Sequence, residues 1–536
     1  MPSLTTFLDE TLRHVDGLRV LELVSQLSLL HRVQGSDELE AAADLLATAL
    51  GEAGVEVRVE RLRGPLGLWE HWGFWEPRGW RLYSATIEAE AGGSWKTVAS
   101  TAETPLVAVV HSPGGEATGE AGYGKGKIVV VDDLSWERYY RLVEEQQPEA
   151  VVAFHRGPGV RYWGLYPPFF EPPPMVPAAS LPAEKALGLI GRKVRVRVEA
   201  EYHTAPATPI VVTEAGEPGA PTVILAAHLC HPRPGAHDNA SGVAVLAAAM
   251  KALAGIKGLR VVAVFAPEWT GTAAATVHAG VEPGEALGAL SVDMVGADLA
   301  ATGGSRRLIS SPPPLVNPLD APLYAALRSL DTWLHVPYER GSDHDVLLAA
   351  GAPASLLNEW PDHYYHSSLD TPNNLSPTAL RATAAAIAAA AKLLAASPRR
   401  AAEASLLLAR SLLEREAALT MTSAAAEATG KLTSHARAYI EARLRGDPGH
   451  PWSTDLEPAV NPPVTRLYLY KRRRETWKKL TALNDTERRR VTTLAYLAAY
   501  TRSTEIASIY IEAATGEKPT EEQLALALEM LDAETT

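Results

Sequence analysis

TVILAAHLCHPRPGAHDNASGVAVLAAAMKALAG, residues 222–255, decides the architecture. Its opening TVILAA is apolar and partly β-branched, the pattern of a strand buried on both faces, while the closing GVAVLAAAMKALAG is alanine-rich and favours helix. A strand that feeds a helix in this way is half of a parallel unit, so the segment predicts an α/β fold with a mainly parallel central sheet flanked by helices. The strand pattern returns at LRVVAVFA (259–266), ALSV (289–292) and ASLL (354–357). Open sheets of this kind bind ligands beyond the carboxyl ends of their strands. The polar residues that follow these runs are His228 and Asp238, then Glu268, then Asp293, then Tyr365 and His366.

Singly, each cluster has an ordinary reading. A histidine and a carboxylate on one loop can reach a common divalent ion, but Asp238-Asn239 also suits a helix N-cap and His228 a hydrogen-bonded surface position. APEWTG (266–271) and SVDMVG (291–296) each place one carboxylate after a strand, which a cap or loop would also explain. NEWPDHYYHSSLD (358–370) is denser, with His363, Tyr365 and His366 beside Glu359, Asp362 and Asp370. Its alternative is a wet aromatic loop.

Taken in order, these words resemble the zinc aminopeptidase family whose relatives include glutamate carboxypeptidase, the plasma carboxypeptidases, glutaminyl cyclase and the transferrin receptor. The resemblance covers residues 18–62 and 201–395 and includes RVQGSDE (32–38), similar to the family's Arg-x-x-Gly-Ser entry to its first long helix. It implies that His228, Asp238, Asp293 and His366 ligate metal, with Asp238 bridging two ions. It implies Glu268 as general base and Tyr365 as a hydroxyl donor to the substrate oxygen. One position departs from the pattern. The family has two adjacent glutamates, the first a base and the second a ligand, and here Trp269 stands second. An indole cannot coordinate zinc. Three outcomes stay open: a single-metal enzyme, a second site completed by His231, His237, Asp343 or Glu359, or a second site filled only at high metal. Zinc is the expected ion, with cobalt or manganese as substitutes.

The implied activity is a metal-dependent exopeptidase acting on peptides, in first place an aminopeptidase. A carboxypeptidase or dipeptidase of the same fold is the alternative, as is a homologue that has lost catalysis. Glu359 or Asp362 would suit an α-ammonium group, and Arg340 in YERGSDHD a carboxylate.

At 536 residues the chain exceeds one core. The expected division is a catalytic domain from 1–62 and 201–400, a β-rich insert at 63–200 similar to a protease-associated domain, and a helical C-terminal domain at 401–536 that offers a homo-oligomer surface. A net charge of −13 disfavours nucleic acid, with RLYLYKRRRETWKK (466–479) read as one solvated helix face. One cysteine, Cys230, permits no internal disulfide; it suits a small buried hydrophobe better than a soft ligand. MPSLTTFLDETLRHVDG has neither a basic start nor an apolar core, so a cytoplasmic protein without a membrane partner is expected. Two aromatic stretches, WEHWGFWEPRGW (69–80) and RYWGLYPPFFEPPP (161–174), suit a substrate cleft or, more simply, packing between domains.

Overall fold

The computed structural model describes residues 2–68, 72, 76–124, 127–167, 175–203, 207–458, 462 and 466–535. Three helices (Leu4–His14, Gly17–Leu27, Asp37–Glu52) lead into strand β1 (Val57–Arg63). There follow β2 (Gly79–Ala91), β3 (Ser94–Ser100), β4 (Gly115–Tyr123), β5 (Ile128–Asp132), β6 (Ala150–His155), β7 (Ala178–Pro182) and β8 (Lys193–His203). The chain then forms β9 (Ala207–Gly216), β10 (Thr222–His228), β11 (Arg260–Ala266), β12 (Gly288–Val292), β13 (Ser305–Ile309), β14 (Trp333–Val336) and β15 (Ala354–Trp360).

The first sheet runs β1-β9-β11-β10-β12-β15-β13-β14. Its centre, β11-β10-β12-β15, is parallel throughout. On either side β9 and β13 pair antiparallel to it, so the expected parallel sheet is the middle of a mixed one. β1 joins antiparallel on β9, which brings the chain on both sides of β2–β8 into one sheet. β10, β11 and β12 are buried at nearly every position, as strands covered on both faces must be.

On one face lie the helices Gly242–Ala252 and Pro377–Ala396, the latter packed among Leu4–His14, Gly17–Leu27 and Asp320–Leu330. Alanine side chains let these helices approach closely. At Gly17 even one more carbon has no room, since a Cβ there would lie 2.1 Å from the Pro377 carbonyl oxygen. Pro377–Ala396 is long and apolar enough to cross a membrane, and here it is a core helix. The opposite face carries Thr270–His278 and His344–Ala349, together with Tyr439, Tyr496 and Tyr500 from C-terminal helices.

The second sheet, β3-β2-β8-β4-β5-β6-β7, is antiparallel as far as β4 and parallel beyond it. LVAVVHS, which reads as a strand, is instead a 3-10 turn at Pro105–Val107 followed by irregular buried backbone. Its amides are satisfied outside any ladder, Val109 N–H on the Ala178 carbonyl (3.1 Å) and Val110 N–H on that of Trp163 (2.9 Å). Conversely β4, GEATGEAGY, lacks the apolar run that would flag a strand and buries only Ala117, Gly119 and Ala121. Of the aromatic stretch 69–80, residues 69–71 and 73–75 lie outside the described residues; Trp72 and Trp80 are buried in separate cores.

Helices from Pro398–Thr420 to Glu521–Leu531 form the C-terminal region, with a short pair of strands, β16 (Leu456–Pro458) and β17 (Ala533–Thr535). This region packs on its own chain. Trp477 and Leu480 share a core with Tyr139, Tyr140 and Val143 of the helix Trp136–Gln146 after β5. In the basic run, Lys478 pairs with Glu475 and Lys479 with Glu529, at 2.7 and 2.8 Å.

Arg443, almost wholly buried, ties this region to the loops of the first sheet by donating to the carbonyls of Ala286 (3.2 Å), Gly351 (2.6 Å) and Gly284. Arg443→Ala strands these acceptors away from water, so unfolding in urea should show a loss of about 2–4 kcal/mol, far more than an exposed arginine would give.

Candidate metal centre

Four central strands deliver the site. His228 is the last residue of β10, Asp293 follows β12 directly, and Glu268 lies two residues past β11. His366 comes from the loop after β15. The loop from Leu229 to Asp238 is held from beneath by Arg32, fully buried, whose Nε donates to the Leu229 carbonyl and Nη2 to that of Gly235, both at 2.9 Å. Burial lowers this guanidinium to about 10, still a cation near neutrality. In the same RVQGSDE word Gly35 adopts φ +79, and Ser36 caps the helix Asp37–Glu52 by accepting from Leu39 N–H at 3.2 Å.

Asp238 is not the helix cap. Asn239 does that work, its Oδ1 accepting from Gly242 N–H (3.0 Å) and Met294 N–H (3.1 Å). The Asp238 carboxylate is freed to face three imidazoles, with Oδ1 at 3.2 Å from His228 Nε2 and Oδ2 at 3.1 Å from His366 Nε2 and 3.4 Å from His231 Nε2. His228 Nε2 also lies 3.2 Å from Asp293 Oδ1, and Ser342 Oγ donates to the other Asp293 oxygen at 2.7 Å. Donor atoms of His228, Glu268 and Asp293 fall within 4.8 Å of one another, as do those of His231, Asp238 and His366. The two groups share a cavity of about 410 Å³.

Glu268 is half-buried, and removal from bulk water, with Asp293 and Asp343 adding to it, raises its carboxyl well above the usual range. Its amide donates to Cys230 Sγ at 3.1 Å, and Gln34 Nε2 donates to its carbonyl at 3.1 Å. Trp269 next to it stands at φ +62 with its amide on Asp343 Oδ1 (2.8 Å). Met294 and His366, on the other site loops, also have positive φ, +59 and +56, a local strain of the kind that gathers at functional sites. The Tyr365 ring stacks on His366 at 3.7 Å, and burial drives its phenol well above the ordinary value, so it remains a proton donor. The segment after β6 roofs the cavity: Tyr162 N–H donates to the His366 carbonyl at 2.6 Å, and its ring lies 4.8 Å from that imidazole. Residues 168–174 of the second aromatic stretch lie outside the described residues.

Other candidates point elsewhere. His237 Nδ1 lies 2.6 Å from Asp362 and Nε2 3.3 Å from Glu359, and Glu359 also pairs with Arg306 at 3.1 Å. Burial would lower His237, but these two carboxylates outweigh it and raise it to about 10. Glu359 and Asp362 are therefore committed to a buried charge chain rather than open to an α-ammonium group. Asp343 serves the Trp269 turn, Cys230 belongs to the apolar core, and His363 is exposed. Arg340 lines the cavity with its guanidinium 4.6 Å over the Tyr496 ring.

Asp370, at the end of the fourth cluster, is a positioning residue that spacing alone does not single out. Its two oxygens accept from the amides of His237 (2.7 Å) and Asp238 (3.1 Å), fixing the backbone that aims the Asp238 carboxylate. A carboxylate beside turn-forming Thr-Pro-Asn-Asn was the available signal.

These residues fit a divalent cation. His228 Nδ1 lies 2.9 Å from the Cys230 carbonyl, which can only accept, so Nδ1 carries the proton and Nε2 turns toward two carboxylate oxygens. Acceptors so arranged need a proton or a metal between them. Burial opposes the charged form of His228, yet Asp293 and Glu268 prevail and hold it well above the usual value. Burial likewise opposes the Asp238 anion, and the histidines around it prevail and keep it well below the carboxylate range. Imidazole and carboxylate donors, with a hydrogen bond behind His228 and behind Asp293, are the set that zinc and similar ions take.

Residues 210–391 match the model of Peptidase family M28. The zinc aminopeptidase BSAP from Bacillus subtilis is 17% identical over 70% of this chain and 94% of its own, with a TM-score of 0.53. A peptidase M28 precursor from Shewanella amazonensis SB2B is 18% identical over 73% of this chain and 96% of its own, also at 0.53. At these identities the likeness is one of fold. Comparison with curated proteins finds no match.

Asp370→Ala should weaken zinc binding about 10–100-fold, the usual effect of losing a group that orients a ligand. Competition with a chromophoric chelator measures it, and an unchanged affinity would show that Asp238 is held by other means.

Proposed function

We propose that this chain, whose residues 210–391 match the model of Peptidase family M28, is a metal-dependent exopeptidase, and in first place a zinc aminopeptidase that removes the N-terminal residue of a peptide. One observation carries the reading. His228, Asp238, Asp293 and His366, far apart in sequence, turn their donor atoms into one cavity beside the carboxylate of Glu268. A roofed cavity of about 410 Å³ suits the end of a chain better than its middle. The choice of terminus draws on the Bacillus subtilis zinc aminopeptidase, which shares the fold.

His228, Asp238 and Asp293 would hold one divalent cation, which supplies Lewis acidity and lowers the pKa of water toward about 7. Glu268 then takes the proton of the attacking water as the peptide carbonyl carbon gains its oxygen. Tyr365 donates to the carbonyl oxygen as negative charge gathers there. When the C–N bond breaks, Glu268 passes the same proton to the leaving amine. A carboxyl already raised by its surroundings gives up a proton to nitrogen and regains one from water with little loss either way.

A second reading, a carboxypeptidase or dipeptidase, is favoured by Arg340, a cation at the cavity wall that packs over an aromatic ring and has no carboxylate within ion-pair distance among the described residues. A panel of aminoacyl-amides, N-acetylated peptides and C-amidated peptides, assayed with zinc, cobalt and manganese, separates the two. Cleavage that requires a free amine supports the aminopeptidase, whereas cleavage of N-acetylated peptides that requires a free carboxylate overturns it. Glu268→Gln should cut turnover by about 10²–10⁴-fold with metal content unchanged. Tyr365→Phe should lower kcat by about 10²-fold with a smaller change in KM, and an unaltered kcat removes Tyr365 from the oxyanion position.

A further inference from the structure

We propose that His231 is a metal ligand, and that with His366 and the Oδ2 atom of Asp238 it forms a second cation site whose donors differ in kind from those around His228. The inference rests on the metal-dependent reading and not on the choice of peptide terminus.

The geometry begins with a tautomer. His231 Nδ1 lies 2.7 Å from the Pro232 carbonyl oxygen, which can only accept, so Nδ1 is the donor there and Nε2 is the ring nitrogen left to face the site. That Nε2 is buried without a hydrogen-bond donor or acceptor, and it points at Asp238 Oδ2 from 3.4 Å. His366 Nε2 approaches the same oxygen from 3.1 Å. The Nε2 atoms of two imidazoles and one carboxylate oxygen thus lie within 4.8 Å of one another, the donor types that a divalent cation takes.

The ring is also built into place. His231 N–H donates to the Arg32 carbonyl at 2.9 Å, so the buried arginine that pins the loop ends also sets this residue. Gly235 leaves the space the ring occupies, since a Cβ there would lie 2.2 Å from His231 Nδ1. Tyr162 meets the ring edge to face at 5.3 Å. Such support keeps a ligand aimed before metal arrives.

Asp238 then divides its oxygens, Oδ1 toward His228 and Oδ2 toward His231 and His366. The first site offers one imidazole and carboxylate oxygens, the second two imidazoles and one oxygen. Trp269 supplies no donor, and His231 gives the second site a third ligand atom beside Asp238 and His366. Imidazole-rich sites favour zinc, cobalt and nickel, while oxygen-rich ones also accept manganese.

Wild-type chain saturated with zinc and dialysed should carry two equivalents by elemental analysis, and His231→Gln one, with far-UV circular dichroism unchanged. Zinc-edge anomalous maps of wild-type crystals grown with zinc test the same point without mutation: one peak should lie about 2.1 Å from Nε2 of both His231 and His366. One equivalent in the wild type, two in the variant, or a peak with His231 outside its shell overturns the proposal. These outcomes are independent of peptide cleavage, so a failure to hydrolyse peptides would count against the proposed activity alone.

Discussion

A carboxylate buried among imidazoles is the constraint on which the site depends. Asp238 is almost wholly buried, and an anion in that position persists only beside positive charge, whether a protonated imidazole or a metal ion. Three histidines from two loops face it. Around this group the chain builds outward. Asp370 fixes the Asp238 amide, Arg32 fixes the loop that carries it, and Asn239 anchors the following helix to the end of β12. None of these groups touches a substrate, yet each limits where the carboxylate can point.

The fold answers the same requirement. Parallel strands end on one rim, so β10, β11, β12 and β15 deliver side chains from four separate loops to a single place. Alanine-rich helices packed against the sheet keep that rim rigid. From the other side, the segment after β6 crosses the rim and bonds to the His366 loop, with Ser368 N–H on the Val160 carbonyl at 2.9 Å. The C-terminal helices back the cavity wall as well, with Tyr496 beneath Arg340. Arg443 and Trp477 bind this region to both sheets, which makes it part of one packed body rather than an appendage.

Much of this was legible in the sequence for a physical reason. Buried parallel strands need continuous apolar runs, and the ends of such runs locate the rim, so His228, Asp293 and Glu268 stand out by position. His366 is marked by its tyrosine neighbour and a loop of turn formers. The role of Asp238 was ambiguous because Asp-Asn before a helix reads equally as a cap, and only three-dimensional packing shows Asn239 taking that task. His237 and His231 look alike on one loop; the backbone turns one toward Asp362 and the other toward Asp238. Direction at that scale comes from contacts with residues more than a hundred positions away. β4 was illegible because glycine and alanine carry no strand signature, and LVAVVHS misled because a buried apolar run need not be a strand.

On this reading the folded chain holds a divalent cation on Asp238 and the unfolded chain does not. Thermal unfolding of chelator-treated protein, with and without zinc, measures this most directly. Zinc at 100 times its dissociation constant should stabilise the wild type by about 2.7 kcal/mol per site, seen as a rise in Tm, and should leave Asp238→Asn nearly unmoved. A Tm that zinc does not raise in the wild type, or raises equally in Asp238→Asn, would contradict the account.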